Sequence, residues 1–306
     1  SNGFTRNFLL PFYQKKLKEL VRMNVSELDF HGLKLLSADV SPSRYLFCPQ
    51  DVARIISWQI VMADNSIRDV LFSEMDGEDS INDMGSKIFF NAKSMPLAGF
   101  DSLGIENLKF VKISDSKYDI TFAPENDAIS FLPKITYKLS ELYFRLEISV
   151  TNRGTMPICW CPAIHFFINL PWINGTPLEK YIVKNLAKKR LRISDDMRII
   201  NSVKSSERTS LELLNNDIIG FTQLQDSKIW MGTPNEEEGL SFIFGNKTQK
   251  SVLMIRKTPT TGKIEVAFVS DMPSENGGNM TNADIQNYAM IAPNETDTFA
   301  TEISAY

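Results

Sequence analysis

Short apolar runs recur along this chain at intervals of roughly ten residues, with turn-forming residues between them. Leu33–Val40, Arg54–Ala63, Ile67–Glu74, Lys87–Phe90, Leu108–Ile113, Asp119–Phe122 and Lys134–Leu139 read as strands. So do Tyr181–Asn185, Ile218–Leu224, Lys228–Gly232, Leu240–Phe244, Ser251–Arg256, Ile264–Val269, Tyr288–Ile291 and Thr298–Ile303. Ser41-Pro42, Asp64-Asn65 and Asp76-Gly77 supply turn chemistry in the gaps. A chain built this way predicts an all-β fold, a large twisted antiparallel β-sandwich.

The one helix candidate is Pro11–Met23. Phe12, Leu17, Leu20 and Val21 make its apolar stripe, opposed by Lys15, Lys16, Lys18 and Arg22. The stripe is modest, so a helix packed on the body is expected rather than one lying on a membrane. We find no Gly/Ser linker and no internal repeat. The expected organisation is a helical extension over residues 1–27 and a single sandwich domain over 28–306. At 306 residues and 43% hydrophobic content, the chain can bury a large core.

Charge narrows the partners. Lys and Arg number 33 against 37 Asp and Glu, for a net charge of −4. No broad basic field follows, so no nucleic-acid partner is expected. No run of about twenty apolar residues exists, so no membrane partner is expected either. Cysteine is scarce and odd in number: Cys48, Cys159 and Cys161. That suggests a reducing compartment, and hence the cytoplasm. Cys159-x-Cys161 near His165 lacks the second ligand pair of a zinc site, so no metal is expected.

Tyr143 to Trp172 is the most informative stretch. Phe144, Leu146, Ile148 and Val150 alternate with Arg145, Glu147 and Ser149, which is a half-buried strand. Asn152, Gly154 and Pro157 break it. The next strand, Ile158 to Asn169, is apolar on both faces except for His165. His165 and His31 are the only histidines. A lone histidine among apolar residues is most often a satisfied core residue, and its titration near neutrality is the alternative.

The run Pro162-Ala-Ile-His165-Phe-Phe167-Ile-Asn169-Leu170-Pro, entered through a strand and an Asn-Gly-Pro turn, resembles the galactose mutarotase (aldose 1-epimerase) family. His165, Phe167, Asn169 and Leu170 match the family's strand in register. Ile88–Phe100, Leu211–Ile219, Ser251–Arg256 with Glu265–Pro273, and Ala292–Ile303 look like family segments in the same order. The resemblance spans roughly residues 30–306. It implies the family's supersandwich and a sugar cleft.

The resemblance also implies a chemistry. A base removes the proton of the anomeric hydroxyl, an acid protonates the ring oxygen, and the opened sugar recloses on its other face. Carried over by matching position, His165 is the acid and Asp271 the base. Asn91, Lys93, Asn169, Asp217 and Arg256 are the sugar contacts. No cofactor is implied, and the partner is a free aldose or related carbohydrate. Here the chain departs from the pattern. The first active-site histidine falls on Ala98, and Lys93 stands near an expected arginine. The base falls on Ser270 or Asp271, which face opposite sides of a strand, and Glu275 is a weaker substitute. Asp271, Lys93 and Asp217 could equally be turn, loop and cap residues. His31 reads as structural. Trp160, Trp172 and Trp230 could stack on a sugar, although aromatics in a sandwich more often fill the core. Three functions remain open: an aldose 1-epimerase; a carbohydrate-binding or regulatory protein that keeps the cleft without efficient catalysis; and, ranked third, a structural domain appended to sugar pathways with the Pro11–Met23 helix as its partner-binding element.

Overall fold

A computed structural model describes residues 25–30, 32–71, 84–89, 108–114, 117–123, 130–160, 162–172, 176–195, 198–215, 218–244, 252–258, 262–269 and 289–306. The expected Pro11–Met23 helix lies outside them. The described residues hold 21 strands. The first nine are β1 (Val25–Phe30), β2 (Leu33–Val40), β3 (Ser43–Cys48), β4 (Arg54–Val61), β5 (Ile67–Leu71), β6 (Ser86–Phe89), β7 (Leu108–Ser114), β8 (Lys117–Phe122) and β9 (Phe131–Ser140). Then come β10 (Tyr143–Asn152), β11 (Ile158–Trp160), β12 (Ala163–Ile168), β13 (Ile182–Ile193), β14 (Ile199–Lys204) and β15 (Arg208–Ser210). The last are β16 (Ile218–Gly232), β17 (Gly239–Phe244), β18 (Val252–Lys257), β19 (Ile264–Val269), β20 (Ala289–Ile291) and β21 (Thr296–Ala305). Every pairing is antiparallel, and the chain is all-β as its periodicity predicts. Among the described residues no helix is long and apolar enough to cross a membrane.

One half of the fold is centred on β10, which runs between β9 and β21. Its even-numbered residues Phe144, Leu146, Ile148 and Val150 are fully buried. Its outward residues instead make a charged lattice: Lys138 to Glu147 at 3.0 Å, and Arg145 to both Glu147 and Glu302. The other half lays β6, β12, β19, β18, β16, β13 and β14 side by side. The halves meet through aromatic packing. Phe144 lies 5.4 Å from Trp58 and 6.1 Å from Phe166, and Phe166 lies 6.4 Å from Phe242, ring centre to ring centre. Burying one such side chain contributes about 1.5–3 kcal/mol.

This packing decides which way β12 faces. Ile164, Phe166 and Ile168 enter the core. By the two-residue period, Ala163, His165 and Phe167 take the opposite face.

Several elements differ from the reading of the sequence. Val25–Phe30 is a further strand, paired with β2. The strand expected from Ile158 to Asn169 is two: β11, paired with β20 in a sheet of its own, and β12 in the large sheet, with Pro162 between them. Ile218–Leu224 and Lys228–Gly232 are one strand, β16, because the polar residues between them are absorbed as a register shift with positive φ at Gln223 and Ser227. The strand expected over Tyr181–Asn185 continues to Ile193 and turns into β14. Lys188, Lys189, Arg190 and Arg192 break the alternation there, so periodicity gives no sign of it. The Ser43–Cys48 strand was likewise not separated from its neighbours by pattern.

Candidate functional site

Strand β12 lies between β6 and β19, and β19 lies between β12 and β18. Register sets the neighbours of His165: Lys87 is opposite on β6 and Ala267 opposite on β19. Glu265 is two residues along β19, opposite both Phe167 and Arg256. All share one sheet face. Diagonal neighbours of this kind stand about 7–8 Å apart at the backbone, within reach of long side chains. The small side chain of Ala267 leaves the path open.

His165 Nδ1 lies 2.5 Å from Glu265 Oε1. Arg256 Nε donates to Glu265 Oε2. The glutamate is only 2% exposed, His165 19% and Arg256 40%. A buried carboxylate is costly unless paired. Here burial pushes the Glu265 pKa up. The hydrogen bonds and charges of His165 and Arg256 outweigh it and hold that pKa down to about 2. Glu265 is therefore ionised throughout the neutral range. Facing the ionised carboxylate, the imidazole donates Nδ1–H to Oε1.

The rest of the face is cationic and aromatic. Lys87 Nζ stands 5.3 Å from the Phe167 ring centre. Lys263 Nζ donates to Asn169 Oδ1 at 2.8 Å. Strand β6 is itself held from below. The buried Arg54 guanidinium donates to the Met84 and Ser86 carbonyls, and Ser86 Oγ donates to the Ile55 carbonyl. Gly85, at φ +58, precedes it; a Cβ there would meet the Ile55 carbonyl oxygen at 2.2 Å.

Of the expected site residues, His165 and Arg256 are brought together through Glu265, and Asn169 is bound to Lys263. Asp271, Asn91, Lys93 and Asp217 lie outside the described residues, as do Ser270, Glu275, Ala98 and His31. Trp160 is buried in the core, Trp172 carries Arg68 over its ring at 5.7 Å, and Trp230 carries Lys184 at 5.9 Å. Sequence reasoning missed Glu265. Its signal was there: the only charge inside Ile264–Val269, a strand otherwise apolar on both faces.

Solved structures share this architecture. A galactose mutarotase-like protein from Clostridium acetobutylicum superposes with a TM-score of 0.67 at 12% identity, covering 93% of this chain and 98% of that one. Another galactose mutarotase-like protein, from Lactobacillus casei, gives 0.63 at 14% identity, covering 89% and 100%. The chain has the galactose mutarotase-like fold. A galactose mutarotase related enzyme from Lactobacillus acidophilus agrees, at 0.64 and 9% identity over 92% and 97%. No family model matches the sequence, and no curated protein matches it.

Proposed function

We propose that this chain is a carbohydrate-binding aldose 1-epimerase, interconverting the anomers of a free aldose by acid–base ring opening. The observation that carries this reading is the buried carboxylate in contact with a partly exposed imidazole on one sheet face. The relatives named mutarotase-like lend it support.

In the forward step a carboxylate accepts the proton of the anomeric hydroxyl. The O1 electrons form the carbonyl while the C1–O5 bond breaks, and imidazolium Nε2–H protonates O5. Rotation about C1–C2 and the reverse steps give the other anomer, with both groups restored. His165 takes the acid role. Glu265 is our first assignment for the base, entering when a sugar hydroxyl takes the place of a present contact, and Asp271 is the second. Asn91, Lys93, Asn169 and Asp217 are assigned to sugar hydroxyls, and Arg256 to keeping Glu265 ionised. The chemistry calls for no cofactor.

A second reading has an observation of its own. Both Glu265 oxygens are engaged, and a carboxylate with a pKa of about 2 is a weak base. A protein that binds sugar without turning it over fits that feature. Two-dimensional exchange NMR of the α and β forms of glucose and galactose separates the two. Catalysis predicts exchange cross-peaks that grow with protein concentration. Rates equal to buffer, with sugar-dependent shifts in the protein spectrum, would favour the binding role. Equal rates and no binding would refute both.

A further inference from the structure

Residues 188–204 form a hairpin from the outer half of β13 and all of β14. They carry six Lys and Arg (Lys188, Lys189, Arg190, Arg192, Arg198 and Lys204) against Asp195 and Asp196. The hairpin is thus +4 in a chain of −4, and the remainder is −8. Lys188, Lys189, Arg192, Arg198 and Lys204 are exposed.

The same hairpin ends the sheet. Among the described residues β14 pairs with β13 alone. A strand with one partner leaves about half its N–H and C=O groups pointing outward, a ready template for another chain. Edge strands are commonly blunted by lysine and other charges, by proline, by a bulge or by short length. In β14 the register shift lies at one end, at Ile200, and the one charge, Lys204, at the other, which leaves Asn201–Val203 as regular edge. β14 has six residues and no proline, and Ile200 and Val203 are 53% and 39% exposed.

From these features we infer that the outer edge of β14 docks an extended acidic segment of a partner protein by strand addition. The backbone ladder supplies the contact, the partner's carboxylates meet the surrounding Lys and Arg, and its apolar residues cover Ile200 and Val203. A second copy of this chain fits poorly. Edge-to-edge pairing would bring two +4 hairpins within about 10 Å, a single screening length. A nucleic acid would use the cations but neither the backbone edge nor the two apolar side chains. The cross-strand row from the site reads His165, Ala267, Met254, Gly220, Leu191, Ser202. Five strand spacings of about 4.8 Å put β14 some 24 Å from His165, so a docked strand leaves the site open.

The test uses the full chain and a fluorescent ten-residue peptide of alternating Glu and Val. Controls are its Lys-for-Glu counterpart and a version N-methylated on alternate residues, which keeps the charge and loses backbone donors. The inference expects the Glu peptide to bind and to slow amide hydrogen exchange at 199–204. It expects N-methylation to abolish binding, and the Lys189→Glu, Lys204→Glu double variant to weaken it at least tenfold. Equal binding of the Lys peptide, tighter binding of a single-stranded oligothymidylate, or self-association that protects 199–204 would overturn it. So would no binding of any peptide, which would leave the charges as a guard on the edge.

Discussion

Glu265 is the residue whose chemistry can be checked most simply. Its pKa is lowered in the folded protein to about 2, against an ordinary 4.5. A depressed carboxylate contributes stability above its unfolded pKa and loses that contribution as pH falls through the folded value. For Glu265 the window runs from about 4.5 down to about 2. Glu265→Gln keeps the volume and removes the titration. Urea midpoints at pH 5 and pH 3 are expected to fall further for the native chain than for this variant. Equal falls would show that another group dominates the acid response. His165 was legible in the sequence because it is one of two histidines and interrupts an apolar strand. Glu265 carries a comparable signal as the one charge in an apolar strand, but its diagonal contact with His165, one hundred residues away along the chain, does not show. No local pattern encodes such a pairing.

At the scale of elements, β12 serves two ends through its two faces. Ile164, Phe166 and Ile168 hold the halves of the fold together, and His165 and the buried Phe167 take the opposite face, where His165 alone is partly exposed. Phe166→Ala is expected to cost about 3–5 kcal/mol of unfolding free energy, since it empties a fully buried aromatic site. Denaturant titration measures it, and a cost below about 1 kcal/mol would mean that the two halves do not lean on this ring. Strands such as β10 were legible because the solvent face and core face alternate strictly, with Arg145 and Glu147 opposing Leu146 and Ile148. The β13–β14 hairpin was illegible for the opposite reason. Its cations fall on both faces, and β14 is exposed at nearly every residue, so burial leaves no period to read.

Across the whole molecule, the two faces of this sheet differ in character. One side of β12, β19 and β18 carries the core residues Phe166, Val266 and Ile255, and the other carries His165, Glu265 and Arg256. The fold class followed from many short strands, and the site's position followed from which face of β12 the core leaves over. The contact of Glu265 with His165 did not follow, because spacing alone cannot align a carboxylate with a histidine across a sheet. The measurement that bears most directly on the account is anomer exchange of glucose and galactose in His165→Ala, Glu265→Gln and Asp271→Asn, with thermal unfolding confirming that each folds. The account predicts at least a hundredfold loss for the first two, the scale of general acid–base catalysis, and little change for the third. Full activity in Glu265→Gln with loss in Asp271→Asn would move the base to Asp271 and contradict the assignment made from the buried pair.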